Sequence, residues 1–342
     1  MKKSYDCIDG NIDVLMYDNT IKKVRDLQKD DAIYSISYDG EDFRYIKGNV
    51  LDISKIKSDA VKITLKDKRS LICSPNHQWL TQQGWHFSFD DKSISDKACF
   101  LKKNMIMFGF SQNMTTRLPE TKLYMEGYII SLEIYGRNLA PLETGEYGSF
   151  VFHNLYLAKR AYNYLSYLGI ESSVSDCVAT DINTNETYKT KRICVSYKDM
   201  LKFSERASKY KDNAEFIRGF VAGVYDADGN INPMLKHIKS PRQDFLAIMK
   251  RGMDLYDFEY SYNSEFMEIS LIGGPTELIR FYNIFTPINT GMVENLTVRN
   301  RRVDKTRIIK VEEIKCNDLY VITTTTRNLI ANGIVCHDCI TV

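Results

Sequence analysis

The sequence predicts a mainly β domain whose chain is interrupted by an α+β insert. Three observations lead there. Residues 7 to about 110 carry short β-branched and aromatic runs (VLMYD, DAIYSISYD, RYIKGNV, AVKITL, SLICS), bounded by Asp-Gly, Gly-Asn or Lys-Asp turns. From about Leu123 the apolar period lengthens to helical spacing in LYMEGYIISLEIYG and LYLAKRAYNYLSYLGI. After about Asn300 strands return in RIIKVEEIK, DLYVITT and RNLIANGIV.

Within the insert, KRICVSY reads as a strand. MLKFSERASKY, AEFIRGFVAGVYDADG, DFLAIMKRGMDLYD and TELIRFYNIF continue the α+β pattern. The polar stretch FGFSQNMTTRLPE, with Pro119, is the expected boundary. The 342 residues are 44% hydrophobic and 12% aromatic, enough for large cores and, by length, two domains. A net charge of +2 gives no whole-chain field for nucleic acid. Eight cysteines, at 7, 73, 99, 177, 194, 316, 336 and 339, form no repeating framework, so a reduced, intracellular (cytoplasmic) protein is expected. MKKSYD is basic, but CIDGNIDVLMYD after it is no signal-peptide core, and no run is long enough to span a membrane.

Four short pieces carry chemistry. Cys7 precedes an Asp-Gly turn. Ser74 and His77 share the turn in LICSPNHQWLT. Asp318 begins DLYVITT. NGIVCHDC holds Cys336, His337, Asp338 and Cys339. Alone, each has a plain explanation: a lone cysteine is usually a small core residue, and a lone turn histidine packs or faces solvent. In this order, however, they resemble an intein, a self-splicing insert of the hedgehog/intein (Hint) horseshoe fold. The match covers about 7–110 and 300–339.

The resemblance implies five segments: 1–6 and 339–342 as flanking host (extein) sequence, 7–115 and 300–338 as the splicing domain, and 116–299 as the insert. It also implies roles. Cys7 would attack the carbonyl of Asp6, turning that amide into a thioester. His77 would donate to the departing nitrogen near its own pKa, helped by a hydrogen bond from Ser74. Cys339 would then take the acyl group. Asp318 would couple these steps by deprotonating Cys339 or steering Cys7. Residue 338 would cut the chain by attacking its own carbonyl, with His337 protonating the leaving nitrogen. No cofactor is expected for splicing, the partners are the flanking exteins in cis, and a monomer is expected.

Two departures stand out. The family usually has Asn where Asp338 stands. A carboxylate would close through oxygen, and when ionised it lacks the usual route to a succinimide, so C-terminal cleavage is expected to be impaired but not absent. Arg327 stands where many relatives carry a histidine, and it cannot shuttle a proton. A rival reading makes Cys336 and Cys339 half of a zinc site, with Cys316 upstream, but a second pair is missing. A disulfide joining Cys336 to Cys339 or to Cys7 is a further alternative, opposed by a reducing compartment.

The insert contains VAGVYDADG, identical at six of nine positions to the LAGLIDADG motif of homing endonucleases. That resemblance implies two closely packed helices, with Ala222, Gly223 and Ala227 as small contact residues, and two related halves about a pseudo-two-fold. Asp228 would hold Mg²⁺, with double-stranded DNA as partner. The matching helix about ninety residues upstream is EGYIISLEIYGRN, where Ser131 replaces the first glycine and Gly136 replaces the acid. Glu133 lies about one turn back but starts too low in the helix to substitute. Residues 117–299 hold 21 Lys/Arg and 23 Asp/Glu, an unpromising balance for DNA binding. One stretch is basic: Lys189, Lys191, Arg192, Lys198, Lys202, Arg206, Lys209 and Lys211. It reads either as a phosphate-backbone track or as a solvated face. A degenerate endonuclease, inactive or nicking one strand, is expected. The alternative for the whole chain is a LAGLIDADG-fold DNA-binding or regulatory protein with structural or zinc-bound cysteines.

Overall fold

A computed structural model describes residues 6–89, 98–110, 115–135, 147–180, 187–227, 237–239, 243–288, 306–315 and 318–339. The chain forms two compact units. One comprises 1–117, 273–283 and 292–342, the other 118–272 and 284–291. The expected C-terminal boundary of the insert, 299/300, lies outside the described residues.

The first unit is built of short strands, as the turn-bounded apolar runs predicted. They are β1 (Ile8–Asp9), β2 (Asp13–Leu15), β3 (Ile21–Lys23), β4 (Ala32–Tyr38), β5 (Phe43–Ile56), β6 (Ala60–Leu65), β7 (Ser70–Cys73), β8 (Gln78–Thr81) and β9 (Gly84–Phe87). The second unit contributes β10 (Tyr147–Phe152), β11 (Ser172–Thr180), β12 (Thr187–Ser196), β13 (His237–Lys239), β14 (Tyr260–Asn263) and β15 (Glu268–Leu271). The chain then returns to the first unit as β16 (Ile308–Ile314), β17 (Leu319–Thr324), β18 (Asn328–Ala331) and β19 (Ile334–His337).

The returning strands are inserted among the early ones. The seven-stranded sheet has the order β16-β6-β7-β1-β17-β5-β4, and the six-stranded sheet β3-β2-β18-β19-β8-β9. Inward residues alternate as a half-buried strand requires: Val61, Ile63 and Leu65 on β6 are fully buried. Strand β5 is long enough to serve two partners, pairing with β4 through Phe43–Asn49 and with β17 through Val50–Ile56. The β18–β19 hairpin turns at Asn332 and Gly333, both at positive φ (46° and 75°), the backbone that an Asn-Gly pair adopts readily. Buried Arg69 holds this turn through the carbonyls of Asn332 and Phe110.

The second unit repeats one supersecondary pattern. Helix α1 (Lys122–Tyr135), β10, α2 (Leu155–Tyr167), β11, β12 and α3 (Tyr197–Ser208) form one half. Helix α4 (Ala214–Ala227), β13, α5 (Gln243–Leu255), β14 and β15 form the other, and α6 (Gly274–Phe285) follows, with residues 274–283 belonging to the first unit. The sheet orders correspond, β10-β12-β11 and β13-β15-β14, so the pseudo-two-fold halves expected from the sequence are present. Asn154 caps α2, accepting from the amides of Tyr156 and Leu157.

Helices α1 and α4 meet backbone to backbone. A methyl group at Gly219 would lie 1.8 Å from the Tyr124 carbonyl oxygen, and one at Gly127 2.0 Å from that of Phe216. A methyl group at Gly223 would meet Ser131 Oγ at 1.9 Å. Gly127 matches Gly219 and Ser131 matches Gly223, each pair 92 residues apart. This corrects the expected contact set. Gly219 and Gly223, one turn apart, make the close approach together with Gly127 and Ser131. Gly219→Val should therefore destabilise the second unit by about 3 kcal/mol, because two backbones must separate; chemical denaturation followed by circular dichroism is the check.

Candidate active site

Both ends of the split β unit converge on β17. Ile8, next to Cys7, pairs with Tyr320 on one side and with Cys73 on the other. The amide of Cys339 donates to the Ile322 carbonyl at 2.6 Å, and its Sγ lies 3.9 Å from the Tyr320 carbonyl oxygen. Cys7 and Cys339, 0% and 2% exposed, are thus brought beside one strand.

The bond before Cys7 is held from the β7–β8 turn. The Cys7 amide donates to Ser74 Oγ at 3.1 Å, and the Ser74 amide donates back to the Cys7 carbonyl at 2.9 Å. The expected role for Ser74, a hydrogen bond at this amide, has this geometry. His77 follows in the same turn, its amide donating to the Ser74 carbonyl at 3.2 Å. Its ring is fully buried, and neither nitrogen has a hydrogen-bond partner among the described residues. Burial, and then the neighbouring His337, push its pKa down to about 3. Burial therefore favours the neutral imidazole of His77.

Burial also raises the nucleophiles. Cys7 is pushed up to about 11 by desolvation, opposed by hydrogen bonding to Ser74. Cys339 and Cys336 are raised for the same reason. Asp6 is 9% exposed, and its carboxyl is raised to about 7 by burial and by the Asp338 charge.

At the second junction, His337 Nδ1 donates to the main-chain carbonyl oxygen of Asp338 at 2.9 Å. The Cys339 N–H of the same peptide group points to the Ile322 carbonyl. The Asp338 side chain is buried. Its Oδ2 accepts from the Thr324 amide at 2.8 Å and from Thr324 Oγ1 at 3.2 Å, while Oδ1 lies 3.4 Å from His337 Nδ1. Sequence reasoning missed Thr324. Its only signal was a polar residue ending an apolar strand, at the irregularity between Thr323 and Thr324.

Two expected participants stand apart. The Asp318 side chain is 60% exposed and ion-paired with Lys55 at 2.9 Å. In this position its carboxylate is engaged by Lys55. Arg327 is exposed, and only its carbonyl contributes, accepting the Asp338 amide at 3.0 Å. The described cysteines are free thiols. Among the described residues no group of three or more His, Cys, Asp or Glu is arranged to hold a metal ion, and Cys316 lies outside them. No described helix is long and apolar enough to cross a membrane.

In the second unit, Asp228 and the side chains of Glu133 and Arg206 lie outside the described residues. The acid that is described, Asp226, is buried. It accepts from Tyr128 Oη at 2.7 Å and the Ile288 amide at 2.9 Å, and lies 3.8 Å from Arg160. The basic stretch does not form one track. Lys191 pairs with Asp176 on the sheet face that also carries the buried Ile193 and Val195. Arg192 faces the other side, and Lys189 shares the face of Lys191. Lys198, Lys202, Lys209 and Lys211 are exposed on or beyond α3, with Lys202 4.0 Å from Asp199.

No family model matches the chain, and no curated protein does. Solved structures do. The gp41-1 intein is 27% identical over 30% of this chain and 68% of its own, with a TM-score of 0.23. The Ssp DnaB Mini-Intein variant M86 is 11% identical over 99% of this chain and 97% of its own, with a TM-score of 0.33. The homing endonuclease I-DmoI, crystallised with DNA and Mn, is 14% identical over 48% of this chain and 98% of its own, with a TM-score of 0.38. Both kinds of protein that the motifs resemble are among the structural neighbours of the chain.

The buried Asp6 carboxyl makes stability pH-dependent. Its proton is held more tightly in the folded state (about 7) than in the unfolded state (3.8), so stability should fall as pH rises from about 4 to about 7 and level off above. The loss should be at most about 4 kcal/mol. Urea unfolding of Cys7→Ala protein at pH 5 and pH 8 checks this, and Asp6→Asn should flatten the difference.

Proposed function

We propose that this chain is an intein that splices itself out of a host protein, and that its insert is a degenerate LAGLIDADG endonuclease. The observation that carries the first part is the gathering of Cys7, Cys339 and Asp338 around β17, with each junction held by main-chain hydrogen bonds.

The Cys7 thiol attacks the Asp6 carbonyl carbon. The bond to the Cys7 nitrogen breaks, and the thiol proton passes to that nitrogen, giving a thioester and a free amine. Ser74 Oγ, already hydrogen-bonded to the nitrogen, guides the transfer, and the neutral His77 ring of the same turn keeps one N–H to offer this peptide group. The Cys339 thiol then attacks the thioester carbonyl and returns the Cys7 thiol, a transfer between two buried thiols that influence each other electrostatically. The Asp338 carboxyl, in its protonated form, closes on its own main-chain carbonyl as a five-membered anhydride; the bond to the Cys339 nitrogen breaks, the carboxyl proton passes to that nitrogen to release the Cys339 amine, and water opens the anhydride. His337 Nδ1–H stabilises the oxygen that gains charge. Finally the Cys339 amine attacks the thioester and forms an ordinary peptide bond. Thr324 holds one Asp338 oxygen and leaves the other to react.

For the insert, the 92-residue offset of the helix pair makes Gly136 the counterpart of Asp228. A glycine supplies no carboxylate, so the donor set for Mg²⁺ is incomplete and no cleavage step is assigned to it.

Placed between two foldable exteins, the chain should yield a ligated product and a free insert ending at residue 338, read by intact mass over time. Cys7→Ala should abolish the N-terminal step. Asp338→Asn should raise C-terminal cleavage about tenfold or more, since the amide nitrogen closes to a succinimide. Silence of both the parent and Asp338→Asn would favour the DNA-binding alternative. The insert should give no Mg²⁺-dependent double-strand cleavage of an intein-less target; clean double-strand products would contradict its degeneracy.

A further inference from the structure

The chain has only two tryptophans, and both lie on the β8–β9 hairpin. Trp79 is fully buried, with its ring edge-on to His77 at 5.1 Å between centroids and 71° between planes. Trp85 stands edge-on to His337 at 5.4 Å and 79°. The register explains how one hairpin reaches both. Trp79 pairs with His86 and Cys336, and Trp85 with Leu80, so the two indoles project to opposite faces of the six-stranded sheet. His337, one residue beyond Cys336, emerges on the face of Trp85.

Among the described residues the His77 ring nitrogens have no hydrogen-bond partner, and the ring is packed against Trp79. Its indole neighbour is itself fixed. Trp79 Nε1 donates to Ser88 Oγ at 3.0 Å, and Ser88 Oγ donates to the His77 carbonyl at 2.8 Å. A three-residue clamp therefore ties the indole to the backbone of the histidine it packs on. His337 is anchored through Nδ1 alone, by the Asp338 carbonyl and, at 3.4 Å, by Asp338 Oδ1 among the described residues, and its ring packs on Trp85.

We propose that Trp79 and Trp85 are positioning residues of the splicing site, each dedicated to one histidine and hence to one junction. Trp79 acts on the N-terminal step through His77, and Trp85 on the C-terminal step through His337. The proposal rests on the splicing reading. An edge-to-face contact of this kind is worth enough to change a rate by a few-fold to about tenfold.

The test uses the full precursor between foldable exteins, with thiol-induced cleavage before Cys7 and cleavage after Asp338 followed as separate masses. Trp79→Leu should lower the ratio of N-terminal to C-terminal rate by up to about tenfold, and Trp85→Leu should raise it by a similar factor. Phe at position 85 restores a ring edge and should recover most of the loss. Trp79→Phe, which lacks the donor to Ser88, should recover less. Ratios that do not move in opposite directions, or that Phe fails to recover, overturn the proposal. In Trp79→Phe protein the remaining indole is Trp85, and its emission should shift when His337→Gln removes the ring beside it. An emission that does not move overturns the contact itself. If the parent cleaves at neither junction the splicing reading falls with the proposal. A parent that cleaves while both ratios stay put sinks the proposal alone.

Discussion

The site depends on one strand being shared. Strand β17 offers one edge to β1 and so fixes the position of Cys7. Carbonyls of the same strand, at Tyr320 and Ile322, receive the thiol and the amide of Cys339. Two residues separated by 332 positions are held without any charged contact between them. Acyl transfer between two thiols is difficult at ordinary concentrations and easy when both are fixed at one place, because the loss of translational freedom occurs on folding. The remainder of the β unit makes this possible: β5 backs β17, β7 backs β1, and Arg69 fastens the last hairpin.

Burial then sets the chemical character of the site. Desolvation raises the pKa of both thiols and lowers that of His77, which favours the neutral form of all three groups. Hydrogen bonds lie on the peptide groups of Cys7 and Asp338, through Ser74 at one and His337 at the other. The exposed side chains of Asp318 and Arg327 fit the same logic, since a charge with free access to water is stabilised there and has no reason to enter the pocket.

In the second unit, Gly127, Ser131, Gly219 and Gly223 keep the helix pair close, and Asp226 ties the end of α4 to Tyr128 and Arg160. The close approach of the two backbones rests on small residues, and the buried acid is held by a phenol and a guanidinium.

The amino-acid sequence by itself determined the class of both units, the break in the β unit, the two-fold relation within the insert and the list of candidate site residues. It could do so because apolar period, turn residues and the order of Cys, Ser-x-x-His and His-Asp-Cys are local or ordinal features. Only the tertiary structure decided which of those groups meet. Strand insertion sets β17 beside β1, and only that placement reveals Thr324 on Asp338, His337 on a carbonyl and Asp318 turned out to Lys55. It also split a basic run that looks continuous in sequence, because alternate residues of β12 face opposite sides of the sheet. Proximity between distant residues, and the desolvation that follows from it, are properties of the packed chain, and no local pattern encodes them.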